Sequence, residues 1–301
     1  MSRPAHALAP AQSLAAASDY LALSKPRVVL MILVVTAVGF MMGSTALTPE
    51  TALRFLHTLL GTALVAGGTL ALNQYLERDL DALMSRTRGR PLPAGRMRPA
   101  EALLFGAATT AAGTLWLTLM TRPLAGLVTA MTVIGYLFLY TPLKRRSALC
   151  TVAGAFPGAL PPVTGWVAAR GRIEPGAIAL FAILFFWQLP HALAIAQLYR
   201  EDYDRAGIRM LPTVDRERGS TGRQALLNCM ALLCVGLIPT AIGLAGWVTL
   251  ATATCCGLLM LGQCAAMAAR PTPRSARRLL LASYLYVPAV MTALVGERLF
   301  A

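Results

Sequence analysis

Charged residues are scarce in this sequence, and their scarcity excludes an ordinary soluble domain. Asp, Glu, Lys and Arg make up only 13% of the 301 residues, whereas 56% are hydrophobic; soluble domains carry about 25% charge. Acidic residues are the scarcest, with 13 Asp and Glu against 27 Lys and Arg. The basic residues lie in short loops between apolar runs, where orientation in a membrane explains them, so the net charge does not indicate a nucleic-acid partner. The composition predicts an integral membrane protein.

Cysteine is also sparse and lacks the spacing of a ligand set. All six cysteines lie in or beside apolar runs and none forms a Cys-x-x-Cys pair, which disfavours a disulfide or metal framework. The first eighteen residues have neither a basic n-region nor a separate apolar h-region, so we expect no cleavable signal peptide. We expect residues 1–24 to form a loose cytoplasmic tail and residues 25–301 to form a single domain.

Nine apolar runs are long enough to cross a bilayer, at about 28–45, 53–76, 100–120, 123–141, 149–169, 175–198, 223–245, 247–269 and 277–296. We therefore expect an all-α integral membrane protein with nine transmembrane helices, the fifth of them broken by its prolines at 157, 161 and 162. We expect the N-terminus in the cytoplasm and the C-terminus on the outer side of the membrane. In this orientation only five of the 27 basic residues lie on the outer side, in agreement with the usual excess of Lys and Arg in cytoplasmic loops. These five are Arg54, Arg122, Arg170, Arg172 and Arg298.

The stretch from 73 to 98, between the second and third runs, concentrates charge. Read as a helix, it places Asn73, Glu77 and Asp81 on one face, about 6 Å apart. Aligned carboxylates at the end of an apolar helix suit a hard cation such as Mg²⁺, and the guanidinium groups of Arg86 and Arg90 suit phosphate oxygens. A charged loop that only caps a membrane helix is the alternative.

A second acidic loop, at 197–212, is expected on the same side of the membrane because four crossings separate it from the first. It carries Glu201, Asp202 and Asp204, and its Gln-x-Tyr199-x-Glu pattern matches the Asn-x-Tyr-x-Glu pattern that begins at Asn73. The similarity predicts an internal repeat. Two acidic helix ends that face one cavity would form a shared divalent-metal site.

Two basic clusters are expected on that same side. The first contains Lys25 and Arg27, and the second contains Lys144 and Arg145; Lys25 and Lys144 are the only lysines of the chain. Orientation in the membrane explains such clusters by itself. Together with the carboxylates and the surrounding apolar helices, however, they describe a site for a lipid diphosphate.

The motifs of the chain resemble those of the UbiA-type intramembrane prenyltransferases, and within that superfamily the branch whose acceptor is haem. The matching segments are SKPRVV at 24–29, NQYLERDLDALMSRTRGRPLPAG at 73–95, YTPLKRRS at 140–147, PP-x-x-GW at 161–166 and LPHALAIAQLYREDYDRAGIRMLP at 189–212. There are two departures from the pattern: Glu77 stands where the superfamily often has Asp, and the segment 147–150 lacks an expected Gln-Asn pair.

The resemblance implies nine helices around a central cavity, in which two acidic motifs bind Mg²⁺ and the diphosphate of farnesyl diphosphate. Carried over to this sequence, the metal-binding and catalytic candidates are Asn73, Glu77, Asp81, Glu201 and Asp202, with Asp204 as a further candidate. The candidates for binding diphosphate, haem propionate or another part of the substrates are Lys25, Arg27, Arg78, Arg86, Arg90, Lys144, Arg145, Tyr199 and Arg205.

His191 lies inside the sixth apolar run, where an ionisable side chain is costly and is often functional. Its imidazole could ligate a haem iron or orient a substrate, and a structural bond to a helix carbonyl is the alternative.

The implied reaction moves a farnesyl group from farnesyl diphosphate to the vinyl group of haem b in a bacterial inner membrane, with water addition that yields haem O. The product would pass to haem A synthase or to terminal-oxidase assembly. Three alternatives remain: prenylation of an aromatic quinone precursor, cation transport through repeated acidic loops, and a haem-binding assembly factor without catalysis.

Overall fold

The computed structural model describes residues 16–46, 48–215 and 219–300, and the regular structure among them is helical. The helices are α1 Ala17–Ser24, α2 Pro26–Gly43, α3 Pro49–Leu83, α4 Pro99–Met120, α5 Pro123–Ile134, α6 Thr141–Leu143, α7 Cys150–Gly158, α8 Pro161–Arg170, α9 Pro175–Leu198, α10 Arg200–Arg205, α11 Leu211–Val214, α12 Ser220–Gly236, α13 Ile238–Ala241, α14 Trp247–Ala269 and α15 Pro273–Phe300. A π-helical segment, Gly135–Tyr140, joins α5 to α6.

Proline sets the beginning of most long helices. It occupies the first position of α2, α3, α4, α5, α9 and α15, where its fixed φ suits a helix and its missing N–H costs no hydrogen bond. Prolines also break the fifth predicted span. Pro157 lies near the end of α7 and Pro161 begins α8, so that Ala159 and Leu160 interrupt the helix, as the sequence predicted.

Eight helical stretches of the described residues are long and apolar enough to cross a membrane, and they match the first four and the last four predicted spans. The fifth predicted span corresponds to the shorter pair α7 and α8. The predicted count of nine crossings and the predicted orientation of the termini therefore remain predictions.

Close helix packing in the centre depends on small residues. At Gly165 of α8, a side chain would collide with the backbone carbonyl of Thr36 in α2, and at Gly39 of α2 it would collide with the backbone of Pro162. Glycine lets the two backbones approach in the way typical of membrane helices. The main core is formed by buried side chains of α2, α5, α8, α9, α12, α14 and α15.

Residues 17–24, which we expected in a loose tail, form helix α1 and pack against the domain. Leu23 is fully buried, and its carbonyl accepts a 2.5 Å hydrogen bond from Nε2 of Gln74 on α3. The Asp19 carboxylate accepts a 2.9 Å hydrogen bond from the guanidinium group of Arg96. The apolar surface and polar contacts of α1 explain why it packs against the domain. Residues 1–15 of the predicted tail lie outside the described residues.

Candidate active site

A buried polar face at the end of α3 forms the centre of the site. The helix continues beyond the predicted span and ends at Leu83, so the four-residue spacing places Asn73, Glu77 and Asp81 on one side. Their exposed fractions are only 2%, 8% and 1%. Because carboxylates are rarely buried without partners, this face needs compensating charge.

That charge comes from two cations on other segments. Nζ of Lys144 lies 2.7 Å from Oε1 of Glu77, and a guanidinium nitrogen of Arg90 lies 2.6 Å from Oδ2 of Asp81. The Lys144 ammonium also lies 4.4 Å from the centre of the Tyr140 ring. The structure therefore brings Arg90 of the arginine-rich stretch and Lys144 of the second predicted basic cluster to the first acidic motif.

The first acidic motif has the donor chemistry of a hard-cation site. The amide of Asn73 donates to the Thr141 hydroxyl at 3.2 Å, which leaves its carbonyl oxygen as a potential ligand. Oε2 of Glu77 and Oδ1 of Asp81 accept no hydrogen bond from any described residue. These oxygens suit Mg²⁺, which prefers oxygen ligands and retains several waters.

The second acidic motif is arranged differently. Helix α9 ends at Leu198, and Glu201 is an exposed residue of the short helix α10. Oδ1 of Asp202 accepts a 3.3 Å bond from the Ser85 backbone N–H and a 3.1 Å bond from Arg205. Burial acts to raise the pKa of Asp202, but hydrogen bonds from Ser85 and Arg86 outweigh it and lower that pKa.

Ser85 thus joins the segment that follows α3 to α10, but the two motifs do not form a dense acidic cluster. Within residues 16–46, 48–215 and 219–300, no three His, Cys, Asp or Glu side chains lie close enough together to hold a metal ion. The predicted shared metal site of the two motifs remains a prediction. The predicted repeat also differs in structure, because Asn73 and Glu77 lie within one helix whereas Tyr199 lies at a break between two helices.

A basic cavity of about 430 Å³ opens beside the first motif. Its lining residues are Ala22, Lys25, Gln74, Arg86, Gly89, Arg90, Pro91 and Arg96. Lys25 links α1 to α2 with a positive φ of 50°, and the described residues offer its ammonium no ion pair within 4.0 Å. Burial, followed by repulsion from Arg90 and Lys144, lowers the pKa of Lys25 to about 7. The cavity therefore favours an anion.

A larger apolar cavity of about 650 Å³ lies among α2, α3, α5, α7, α8, α9, α15 and the π-helical segment. Its wall is mainly aliphatic, and its polar or aromatic members include Arg27, Tyr136, Trp187, Gln188, His191 and Tyr284. A cavity of this kind suits a hydrocarbon chain or a flat apolar ring system.

His191 is fixed in the wall of the apolar cavity by three neighbours. Its Nδ1 lies 2.8 Å from the hydroxyl oxygen of Ser283 on α15. The imidazole stacks on Trp187 with ring centres 4.7 Å apart, and the Tyr284 ring meets it edge-on at 5.4 Å. Its side-chain partner is thus a hydroxyl and not the helix carbonyl considered as the structural alternative.

Other predicted residues lie at the edge of the site or away from it. Arg86 lies over the ring of Tyr199 at 4.9 Å, and Arg205 donates to Ser85 at 3.0 Å. The contacts of Arg78 are local, to the Tyr75 carbonyl and to Asp79. The side chains of Arg145 and Asp204 are exposed, and neither has a side-chain partner among the described residues.

Gln74 and Arg96, which line the basic cavity, and Ser283, which contacts His191, are residues to which the sequence assigned no role. Gln74 and Arg96 lie inside the charged stretch at 73–98, and their position in this stretch is the sequence feature that could have identified them. Ser283 is a hydroxyl in the middle of the apolar run 277–296, and a polar residue at that depth is a recognised functional signal.

The described part of the chain thus combines eight long apolar helical stretches, a buried acidic face paired with two cations, and an apolar and a basic cavity, which is an arrangement that suits an amphipathic anion. The model of the UbiA prenyltransferase family matches residues 32–286. The chain belongs to this family, and it is a multi-pass membrane protein.

Curated relatives are similar to this chain over most of its length. A protein named protoheme IX farnesyltransferase from Solibacter usitatus is 44% identical over 93% of this chain and 98% of its own length. One of the same name from Koribacter versatilis is 41% identical over 93% of each chain.

Solved structures share the fold at low identity. A structure described as digeranylgeranylglyceryl phosphate synthase has a TM-score of 0.79 and 15% identity, and it covers 94% of this chain and 99% of that chain. A UbiA homologue from Archaeoglobus fulgidus, solved with GPP and Mg²⁺, has a TM-score of 0.68 and 18% identity, and it covers 92% and 99%.

Proposed function

We propose that this protein transfers the farnesyl group of farnesyl diphosphate to a vinyl group of protohaem IX and so produces haem O. The observation that carries the proposal is the 44% identity with a protoheme IX farnesyltransferase over 93% of the chain. The paired cavities support it, because a substrate with an anionic head and an apolar tail matches a basic cavity beside an apolar one.

The basic cavity is assigned to the diphosphate. Arg86 and Arg96 line it together with Lys25 and Arg90, and guanidinium groups bind phosphate oxygens through paired hydrogen bonds. Lys25 and Arg86 are available for this task because neither is engaged with a carboxylate among the described residues. Their positive charge stabilises the negative charge that grows on the leaving diphosphate.

The enzyme is proposed to depend on Mg²⁺. Asn73, Glu77 and Asp81 would hold the ion, with Glu201 and Asp202 as the second candidate group. Bound Mg²⁺ would supply charge neutralisation at the diphosphate. Lys144 and Arg90 pair with the two buried carboxylates and hold them in position, because a buried charge requires a partner of opposite sign.

The apolar cavity is assigned to the farnesyl chain and the porphyrin. Arg27 is the basic residue of this wall, which makes it the candidate partner for a haem propionate. His191 faces the same cavity and is the candidate contact to the haem iron. The apolar walls exclude bulk water from the reacting carbons.

The C1–O bond of farnesyl diphosphate breaks and both electrons leave with the diphosphate. The vinyl π electrons form the new bond to farnesyl C1, and this leaves a cationic carbon next to the porphyrin ring. Water adds to that carbon and loses a proton, which produces the hydroxyl group of haem O.

The location proposed for this reaction is a bacterial inner membrane with the site facing the cytoplasm, because the basic residues concentrate in the loops on that side. Both curated relatives described above are bacterial. The apolar product would leave through the lipid phase for haem A synthase or terminal-oxidase assembly.

Purified protein mixed with farnesyl diphosphate, haem b and Mg²⁺ tests the proposal by mass spectrometry of the extracted haem. Farnesylated, hydrated haem is expected, with loss of product in EDTA and recovery when Mg²⁺ is restored. Prenylation of an aromatic acceptor in place of haem would overturn the acceptor assignment. Cation uptake into liposomes without any prenylated product would overturn the enzymatic assignment.

A further inference from the structure

The hydroxyl of Ser283 takes part in two short contacts although it has a single hydrogen. Its oxygen lies 2.7 Å from the Leu280 carbonyl oxygen and 2.8 Å from Nδ1 of His191. A carbonyl oxygen only accepts hydrogen bonds, so the Ser283 hydrogen must point to Leu280 if that contact is a hydrogen bond. The contact with His191 is then a hydrogen bond only if Nδ1 carries a proton and donates it.

We propose that Ser283 is a positioning residue that holds His191 as the Nδ1–H tautomer, with an unprotonated Nε2 for a ligand in the apolar cavity. A neutral imidazole has one protonated nitrogen, so a proton on Nδ1 leaves a lone pair on Nε2. The described residues provide no hydrogen-bond partner for Nε2. This inference rests on the proposed function for the identity of the ligand, which is the haem iron.

The neighbours of the imidazole keep this lone pair in a fixed direction. Trp187 stacks on the ring, and the Trp187 indole N–H donates to the backbone carbonyl of Ser283 at 2.8 Å. Ser283 is therefore tied to α9 through both its hydroxyl and its carbonyl, and it is fully buried. Histidines that bind metals are generally oriented by a hydrogen bond from their second nitrogen.

The tautomer can be measured directly because the chain contains only three histidines. In detergent-solubilised protein labelled with ¹⁵N-histidine, the couplings of ring nitrogens to ring protons distinguish Nδ1–H from Nε2–H. The His191→Gln variant identifies the His191 signals by their loss. The wild type is expected to show Nδ1–H at His191, and an Nε2–H signal there would overturn the proposal.

Two substitutions test the role of the hydroxyl. Ser283→Ala removes it with little change in volume and is expected to shift the His191 population toward Nε2–H. Ser283→Thr retains a hydroxyl on the same carbon and is expected to keep Nδ1–H. Unchanged Nδ1–H in Ser283→Ala would show that Ser283 does not set the tautomer.

Absorbance titration with ferric haem b links the tautomer to ligand binding. Ser283→Ala is expected to weaken haem binding about tenfold, the lower end of the loss seen when the hydrogen-bond partner of a metal-binding histidine is removed. Ser283→Thr should bind like the wild type, and His191→Gln should lose the spectrum of imidazole-ligated haem. Equal haem affinity in Ser283→Ala and wild type would contradict the link.

Failure of the proposed function gives a different pattern. If the wild type makes no farnesylated haem, the acceptor assignment fails, but the ¹⁵N spectra still decide whether Ser283 controls His191. If product forms and the His191 tautomer is Nε2–H, the enzyme assignment stands and this inference fails.

Discussion

Lys25 and Arg27 lie on either side of Pro26 and line two different cavities. Lys25 belongs to the basic cavity and Arg27 to the apolar one. The left-handed backbone conformation at Lys25 ends α1 and lets α2 begin immediately at Pro26. A single turn therefore supplies a cation to the proposed diphosphate site and another to the proposed porphyrin site.

The first prediction concerns pH and Lys25. Because burial and neighbouring cations lower its pKa to about 7, the free ammonium loses its proton as pH rises through 7, and anion binding weakens. If only the protonated form binds, the Kd for a farnesyl diphosphate analogue should rise on the order of fivefold from pH 7 to pH 8.

Lys25→Arg is the matched variant, since its guanidinium stays charged across this range. The Kd of the wild type and the Kd of Lys25→Arg are measured by isothermal calorimetry at each pH. Protonation of the ligand affects both Kd values equally, so it cancels in their ratio. A ratio that does not change with pH would remove Lys25 from the binding equilibrium.

The second prediction compares two carboxylates on α3. Asp81→Asn should reduce kcat/KM by about 100-fold or more, because it removes a charge from a water-poor site and leaves Arg90 unpaired. Asp79→Asn should remain close to wild type, because 85% of the Asp79 side chain is exposed. Haem O quantified by mass spectrometry in membranes with matched protein levels provides the measurement. Similar activities for the two variants would reject the assignment of this helix face.

The third prediction tests whether α1 positions Lys25. Gln74→Leu removes the bond to the Leu23 carbonyl and should lower stability by about 1 kcal/mol while it weakens diphosphate binding. Gln197→Leu is the control, because it also removes a bond from a glutamine side chain to a carbonyl, that of Pro271, but it does not line the basic cavity. Melting temperatures should fall in both variants, and Kd should rise only in the first. A rise of equal size in both would indicate a global effect.

Much of this site was predictable from local sequence. The four-residue spacing of Asn73, Glu77 and Asp81 predicted one helix face, and prolines predicted the break between α7 and α8; the structure has both features. The predicted end of the second span, near residue 76, was short of the helix end at Leu83. Hydropathy marks where apolar side chains end, whereas a helix continues as long as its backbone hydrogen bonds do.

The pairings could not be predicted from local sequence. Lys144 and Glu77 are 67 residues apart, and His191 and Ser283 are 92 apart, so periodicity within one helix contains no information about either contact. Membrane orientation placed Lys144 on the same side as Glu77, but the choice of Lys144 over Arg145 depends on the course of the chain after the π-helical segment. The exposed position of Glu201 likewise depends on the break after α9.

The fourth prediction separates the two cavities functionally. Ala66 lies in the wall of the apolar cavity and is 9% exposed, so Ala66→Phe fills part of the space assigned to the farnesyl chain. Overfilling a packed site costs about 1–3 kcal/mol, and a fall in kcat/KM of about tenfold corresponds to about 1.4 kcal/mol, in the lower part of that range. Inhibition by inorganic diphosphate should not change, because the basic cavity has different walls.

Leu60→Phe on the same helix is the matched control, since Leu60 is 48% exposed and lines neither cavity. It should leave both kcat/KM and diphosphate inhibition unchanged. If Ala66→Phe weakened diphosphate inhibition as strongly as it reduced turnover, the two cavities would respond as one site. The assignment of head group and chain to separate walls would then fail, even though the reaction could still be prenyl transfer.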